Sequence, residues 1–253
     1  MDALFLIKVA AVPFLLWGTS LAVRRWGPFL GALLAGLPLV SGPVSLFITL
    51  EQGTQFGAGM AYNTLPGICV CVAYTVIYAW LSRRFRWPLA LLFGMAAYFA
   101  MAALLCVVPR SLPLFTVLAL SAPLIGLRLL PHQRDSWRAP PAHKGPPLMQ
   151  MLVGTLAMIA ETEGAAWLGP QWSGILVFFP VISGVMALFA HIEIGGEAAL
   201  RVCRGTLTGF SGATVYAVIV AWCVTALPVG VTYSLAAAGA LVASGLLGWK
   251  MKH

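Results

Sequence analysis

The feature that most constrains this chain is the spacing of its breaks. Between clusters of charge or of Pro and Gly, the residues are apolar in runs close to 20 long. A hydrocarbon layer about 30 Å thick takes about 20 helical residues to cross, because each rises about 1.5 Å. Lipid offers no partner for backbone N–H and C=O groups, so such runs are usable only as helices that satisfy themselves internally. Composition agrees: of 253 residues, 60% are hydrophobic and 9% charged, roughly a third of the charged fraction of a soluble domain. A water-soluble fold is excluded, and an all-α integral membrane protein is expected.

Nine runs are expected to span, near 4–23, 29–50, 58–81, 87–108, 112–130, 148–167, 172–191, 199–225 and 229–249. The cut at Pro109-Arg110-Ser111 divides an apolar stretch of about 45 residues that no single helix could bury in one bilayer. Without that cut the count falls to eight. Basic residues choose between the two, since short cytoplasmic loops collect Lys and Arg. Arg24 and Arg25 follow the first run; Arg83, Arg84 and Arg86 the third; Arg128, Arg134, Arg138 and Lys144 the fifth; Arg201 and Arg204 the seventh; Lys250 and Lys252 the ninth. Nine spans put all of these on one side, with the N-terminus outside and the C-terminus inside. The net charge of +8 then reports orientation and contact with anionic headgroups. Residues 1–130 form a first half of five spans, 131–147 a cytoplasmic linker, and 148–253 a second half of four. Asp2 precedes the first run and arginines follow it, the reverse of a secretory signal, so that run is expected to be retained. Cys69, Cys71, Cys106, Cys203 and Cys223 lie in apolar runs without paired loop spacing and read as small hydrophobes.

The chain also matches itself at an offset of 142 residues. Gly27-Pro28 recurs as Gly169-Pro170, Pro38 as Pro180, Ser41-Gly42 as Ser183-Gly184, Leu46-Phe47 as Leu188-Phe189, and Glu51 as Glu193. Further along, Gly53 recurs as Gly195, Thr64-Leu65 as Thr206-Leu207, Gly67 as Gly209, Tyr74 as Tyr216, and Ala79-Trp80 as Ala221-Trp222. About 18 of roughly 54 ungapped positions are identical, including Pro, Glu and Trp, which apolar composition rarely supplies by chance. Because five spans precede the second copy, the copies should run in opposite directions. Inverted-topology repeats are typical of secondary transporters, whose halves exchange conformations about a central site.

The repeated core is Pro-x-x-Ser-Gly. Proline removes a backbone donor and clashes with the preceding turn, while glycine adds freedom, so both copies are expected to kink or unwind near mid-span. Backbone groups freed at membrane depth must face protein or a water-filled cavity, and paired interruptions are the best sequence pointer to a transporter site. Pro38, Ser41, Gly42, Pro43, Pro180, Ser183 and Gly184 are therefore the candidate substrate-binding residues. The competing explanation is a pair of proline kinks packed closely at small residues.

Acidic residues number seven, and Glu51, Glu161, Glu163, Glu193 and Glu197 lie in or beside the spans. Intramembrane carboxyls are costly and usually face an interior or cavity. Desolvation favours their protonated form, which suits them to carry protons. Glu161 is the first candidate for proton coupling, with Glu163 on another face of the same helix. Glu51 and Glu193, matched in the repeat, are candidates for gating; ending a helix ahead of Gly53 and Gly195 is the simpler role. His191 joins them because imidazole titrates near neutrality, although a lone His at a span end is commonly a structural contact. Glu197 and Arg201 fit an i,i+4 pair, and Lys8 fits snorkelling at the end of its span.

Enzymatic readings find little support. Gly209-Phe210-Ser211-Gly212 has the Gly-x-Ser-Gly form of an intramembrane serine protease, but the only downstream histidine is His253, and such a serine needs a base. Packing at glycine explains the pattern better. There is no His-Glu-x-x-His, no phosphate loop and no metal or cofactor motif, and no basic-aromatic stripe for nucleic acid.

The segment Ile175-Leu176-Val177-Phe178-Phe179-Pro180, continuing through Ala190-His191, Ala198-Ala199-Leu200-Arg201 and Gly209-Phe210, resembles the small GlpM-type bacterial membrane proteins. These are about half as long, so this chain looks like an internally duplicated version. The resemblance implies a multi-pass protein of the bacterial inner membrane and an association with exopolysaccharide production. The expected function is a secondary, proton-coupled transporter of a small polar or charged solute, partnered by the lipid bilayer, its solute and protons. A homodimer stays open. The alternative is a non-transporting assembly factor for envelope polysaccharide.

Overall fold

The computed structural model describes residues 3–38, 41–133, 148–168 and 179–250. Its elements are α1 (Ala3–Trp26), α2 (Pro28–Gly36), α3 (Ser41–Gln52), α4 (Thr54–Ser82), α5 (Trp87–Cys106), α6 (Leu112–Leu129), α7 (Leu148–Leu168), α8 (Val181–Glu193), α9 (Gly196–Cys223) and α10 (Val229–Lys250). The described residues contain helices and their connections, without strands. Proline opens or nearly opens α2, α5 and α6, where its missing N–H belongs to the first turn and costs no intrahelical bond. Residues 107–111 are non-helical, which is the division expected at Pro109-Arg110-Ser111.

Among the described residues, five helices, α4, α5, α6, α9 and α10, are long and apolar enough to cross a membrane. This is the architecture of a multi-pass helical membrane protein. Large apolar side chains such as Phe93, Leu92, Val117, Leu241 and Trp249 lie exposed on the outside, as lipid-facing positions would.

The second expected span, 29–50, is described as two helices, α2 ending at Gly36 and α3 beginning at Ser41, with Leu37 and Pro38 outside helix. Of the seventh, 172–191, the described part begins at Phe179, and helix begins at Val181. Linker residues 134–147 and the repeat pair Gly169-Pro170 lie outside the described residues.

The interior is built around α4 and α9. Most of each is buried, and they pack antiparallel. Ser82, at the end of α4, donates to the Gly196 carbonyl at the start of α9 at 3.3 Å. At the other end, Ala61 of α4 shares a cluster with Tyr216, Val220, Ala221 and Val224 of α9. Glycines bring α2 onto α9: a Cβ on Gly36 would lie 2.7 Å from the Thr206 carbonyl oxygen and 2.9 Å from Gly209 Cα. Close backbone approach of this kind is how membrane helices gain packing when burial of apolar surface gives no advantage over lipid. The flanking helices follow suit: α5 and α6 pack on α4, α10 and α8 on α9, and α1 on α7.

One end of the bundle gathers the basic residues. Arg83 lies 3.7 Å from Glu197 and donates to the His132 carbonyl at 3.2 Å, while Arg204 donates to the Pro131 carbonyl at 3.0 Å. The connections after α4, α6 and α8 thus meet on a single face, as the charge pattern requires.

Candidate functional site

The first break is set by Pro38. The residue before a proline is pushed out of the helical region, and Leu37 is extended at φ −75°, ψ 152°. Helix resumes at Ser41, and Gly42 N donates to the Pro38 carbonyl at 2.9 Å. Pro43 falls in the first turn of α3, where no intrahelical donor is lost. The start of α8 repeats this chemistry. Pro180 precedes α8 at φ −77°, ψ 56°, without a side-chain cap, and Gly184 N donates to the Pro180 carbonyl at 2.7 Å. Phe179 is held edge-on by Tyr98 of α5 at 5.2 Å between ring centres.

A tyrosine faces the first turn of α3 and another that of α8. Tyr216, on α9, points its hydroxyl at Gly42, where a Cβ would sit 3.4 Å away. Tyr74, on α4, points its hydroxyl at Gly184, where a Cβ would sit 3.3 Å away. The two glycines are 142 residues apart, and so are the two tyrosines. Each half of the self-matching sequence therefore places its tyrosine against the start of the other half's α3 or α8.

The surroundings of the two hydroxyls differ. Tyr216 donates to the Gly42 carbonyl at 3.0 Å and lies 3.0 Å from Ser45 Oγ, which itself donates to Gly42 O at 2.9 Å. One turn on, Thr49 Oγ1 is 2.6 Å from the Tyr233 hydroxyl, and that hydroxyl donates to the Ser45 carbonyl at 2.9 Å. Beside α8 the positions matching Ser45 and Thr49 are Ala187 and His191. The Tyr74 hydroxyl, with its residue 2% exposed, has no hydrogen-bond partner. Next to it Tyr78 reaches His191 Nδ1 at 3.2 Å. The start of α3 is closed by hydrogen bonds, and the start of α8 keeps a hydroxyl without a partner.

Of the expected substrate-binding residues, Gly42, Pro180, Ser183 and Gly184 are buried, Pro38 is half-buried and Pro43 is exposed. The side chains of Ser41, Glu161 and Glu163 lie outside the described residues. Glu51 and Glu193 are exposed near the ends of α3 and α8, and Gly53 and Gly195 follow them at φ +93° and +116°. That left-handed backbone is what glycine supplies at a helix end. Glu197 pairs with Arg83 of a different helix, a contact the i,i+4 reading did not anticipate. Ser211 is buried, and its hydroxyl donates to the Leu207 carbonyl at 3.2 Å, while Gly209 and Gly212 pack against α2 and α10.

No protein-family model, curated protein or solved structure matches the chain.

Missing from the sequence-derived site were Tyr74, Tyr216, Ser45, Thr49 and Tyr233. The signal for the first two was present, because Tyr74 and Tyr216 are among the identities of the repeat.

Proposed function

We propose that the chain is a secondary transporter of a small polar or charged solute, built from two inverted-topology halves that alternate access to a site at their paired helix breaks. One observation carries this reading: the helices that begin beyond Pro38 and Pro180 are each faced, at Gly42 and at Gly184, by the tyrosine of the opposite half. Antiparallel packing of α4 and α9 supports it, since matching helices of inverted halves run in opposite directions. Interrupted helices at corresponding positions expose backbone groups for a solute, and movement of one half against the other re-exposes the same site to the opposite side.

In this reading Glu161 couples transport to protons, and Glu163, Glu51, Glu193 and His191 are further coupling or gating groups. The protein lies in a bacterial inner membrane with its N-terminus outside and its basic end in the cytoplasm. Purified protein in proteoliposomes, loaded with candidate solutes and given an inward pH gradient, should show gradient-dependent flux. Replacing Glu161 by Gln should abolish that dependence; equal dependence in the two proteins would remove Glu161 from the coupling.

A further inference from the structure

Two tyrosines in equivalent places have unequal company, and the difference traces to one substitution within the repeat. In the first half, Ser45 closes the polar group of Tyr216 onto the Gly42 carbonyl. In the second half that position is Ala187, which is 2% exposed and brings no polar atom. Tyr74 is left with a buried hydroxyl and no acceptor. Native structures seldom leave such a group unpaired without a functional reason.

The hydroxyl points into the beginning of α8, a helix of 13 residues. That end carries the positive pole of the helix dipole and first-turn amides without intrahelical partners. Pro180 adds no side-chain cap to occupy them. Gly184 lets the hydroxyl approach the helix backbone, since a Cβ there would lie 3.3 Å from the hydroxyl and 3.7 Å from Pro180 Cβ. Tyr78, Cys71 and Cys203 lie around Tyr74, and none of these three is a carboxylate. A donor hydroxyl and a helix N-terminus both select the same chemistry.

We propose that the second break is a binding site for a small anionic acceptor, a carboxylate or an oxyanion, held by the Tyr74 hydroxyl and the first turn of α8. The first break, shut by its own serine, is a structural counterpart without a ligand. This deepens the transporter reading and rests on it for the route by which the anion arrives.

The test uses the full chain in detergent, titrated with the sodium salts of acetate, benzoate and nitrate while the thermal midpoint is followed, with choline salts to separate cation effects. A saturable rise in midpoint with at least one of these anions is expected. Tyr74→Phe should weaken the apparent affinity about tenfold or more, the loss of one charge-assisted hydrogen bond. Ala187→Ser, which restores the closing hydroxyl of the first half, should weaken it similarly by a different route. Tyr62→Phe removes another buried unpartnered hydroxyl and should leave the titration unchanged. The proposal falls if no anion gives a saturable response. It also falls if Tyr74→Phe or Ala187→Ser binds as the wild type does, or if Tyr62→Phe weakens binding equally. The same salts are then assayed for flux in proteoliposomes. Binding without flux would remove the transport reading and leave the site, whereas flux indifferent to Tyr74→Phe would remove the site and leave transport.

Discussion

Removing the same oxygen from Tyr74 and from Tyr216 should change stability in opposite directions. The Tyr74 hydroxyl is buried without a partner, a state that costs about 1–3 kcal/mol of desolvation. Tyr74→Phe keeps the ring and its tilted stacking on Tyr78, 5.7 Å between centres, so the ligand-free protein should gain most of that cost. Tyr216→Phe instead deletes a bond to the Gly42 carbonyl. Ser45 still donates to that carbonyl at 2.9 Å, so no acceptor is orphaned and the loss should be that of one net hydrogen bond, about 1 kcal/mol. The two variants are then separated by about 2–4 kcal/mol. At about 2–4 °C per kcal/mol for a chain of this size, that is roughly 4–16 °C in the thermal midpoint. Thermal unfolding in detergent, followed by tryptophan fluorescence without added anions, reads the difference directly. Equal shifts of the same sign would refute the claim that the two breaks are differently satisfied.

Other expectations concern packing and charge. Gly209→Ala should destabilise by about 1–3 kcal/mol, because its Cβ would meet Gly36 Cα at 2.7 Å on an opposing backbone; Gly59→Ala, with nothing within 4 Å, should be neutral or stabilising by up to about 1 kcal/mol, and thermal midpoints distinguish the two. Arg83→Gln should cost no more than about 1 kcal/mol, since its pair with Glu197 is partly exposed and screened, and the difference should shrink in 1 M salt. Thr49→Val should weaken the α3–α10 contact by about 1 kcal/mol by removing the partner of the Tyr233 hydroxyl, whereas Ser121→Ala, which loses only a bond to its own helix at Leu118, should stay within about 0.5 kcal/mol.

Helix ends were the legible part of the fold, because they are written in local chemistry. Pro28, Pro88 and Pro113 sit where α2, α5 and α6 begin, and Gly53 and Gly195 where α3 and α8 end. Pro38 likewise announced the interruption of the second span, though proline alone does not say whether a helix bends or stops. Here it stops at Gly36, and Leu37 and Pro38 lie outside helix. The interior was harder to read. A helix in lipid needs no polar outer face, so α4 and α9 show no strong apolar stripe to mark the side that packs inward. Glycine was the better marker, with Gly205, Gly209 and Gly212 lying under α2 and α10. The polar network was least legible, since Ser45 and Tyr216 meet across 171 residues of sequence. The repeat narrows that search: once Tyr74 and Tyr216 are aligned, the replacement of Ser45 by Ala187 is the change that separates the two halves chemically.

Opposed halves predict that equivalent positions lie on opposite sides of the membrane, and side-specific thiol labelling measures this most directly. In a chain with Cys69, Cys71, Cys106, Cys203 and Cys223 replaced by Ala, single cysteines at Glu51 and Glu193, both exposed, would be probed with an impermeant maleimide in intact and in inverted vesicles. Glu51→Cys should label only from the outside and Glu193→Cys only from the basic, cytoplasmic side. Labelling of both from the same side would contradict the inverted arrangement and the alternating access built on it.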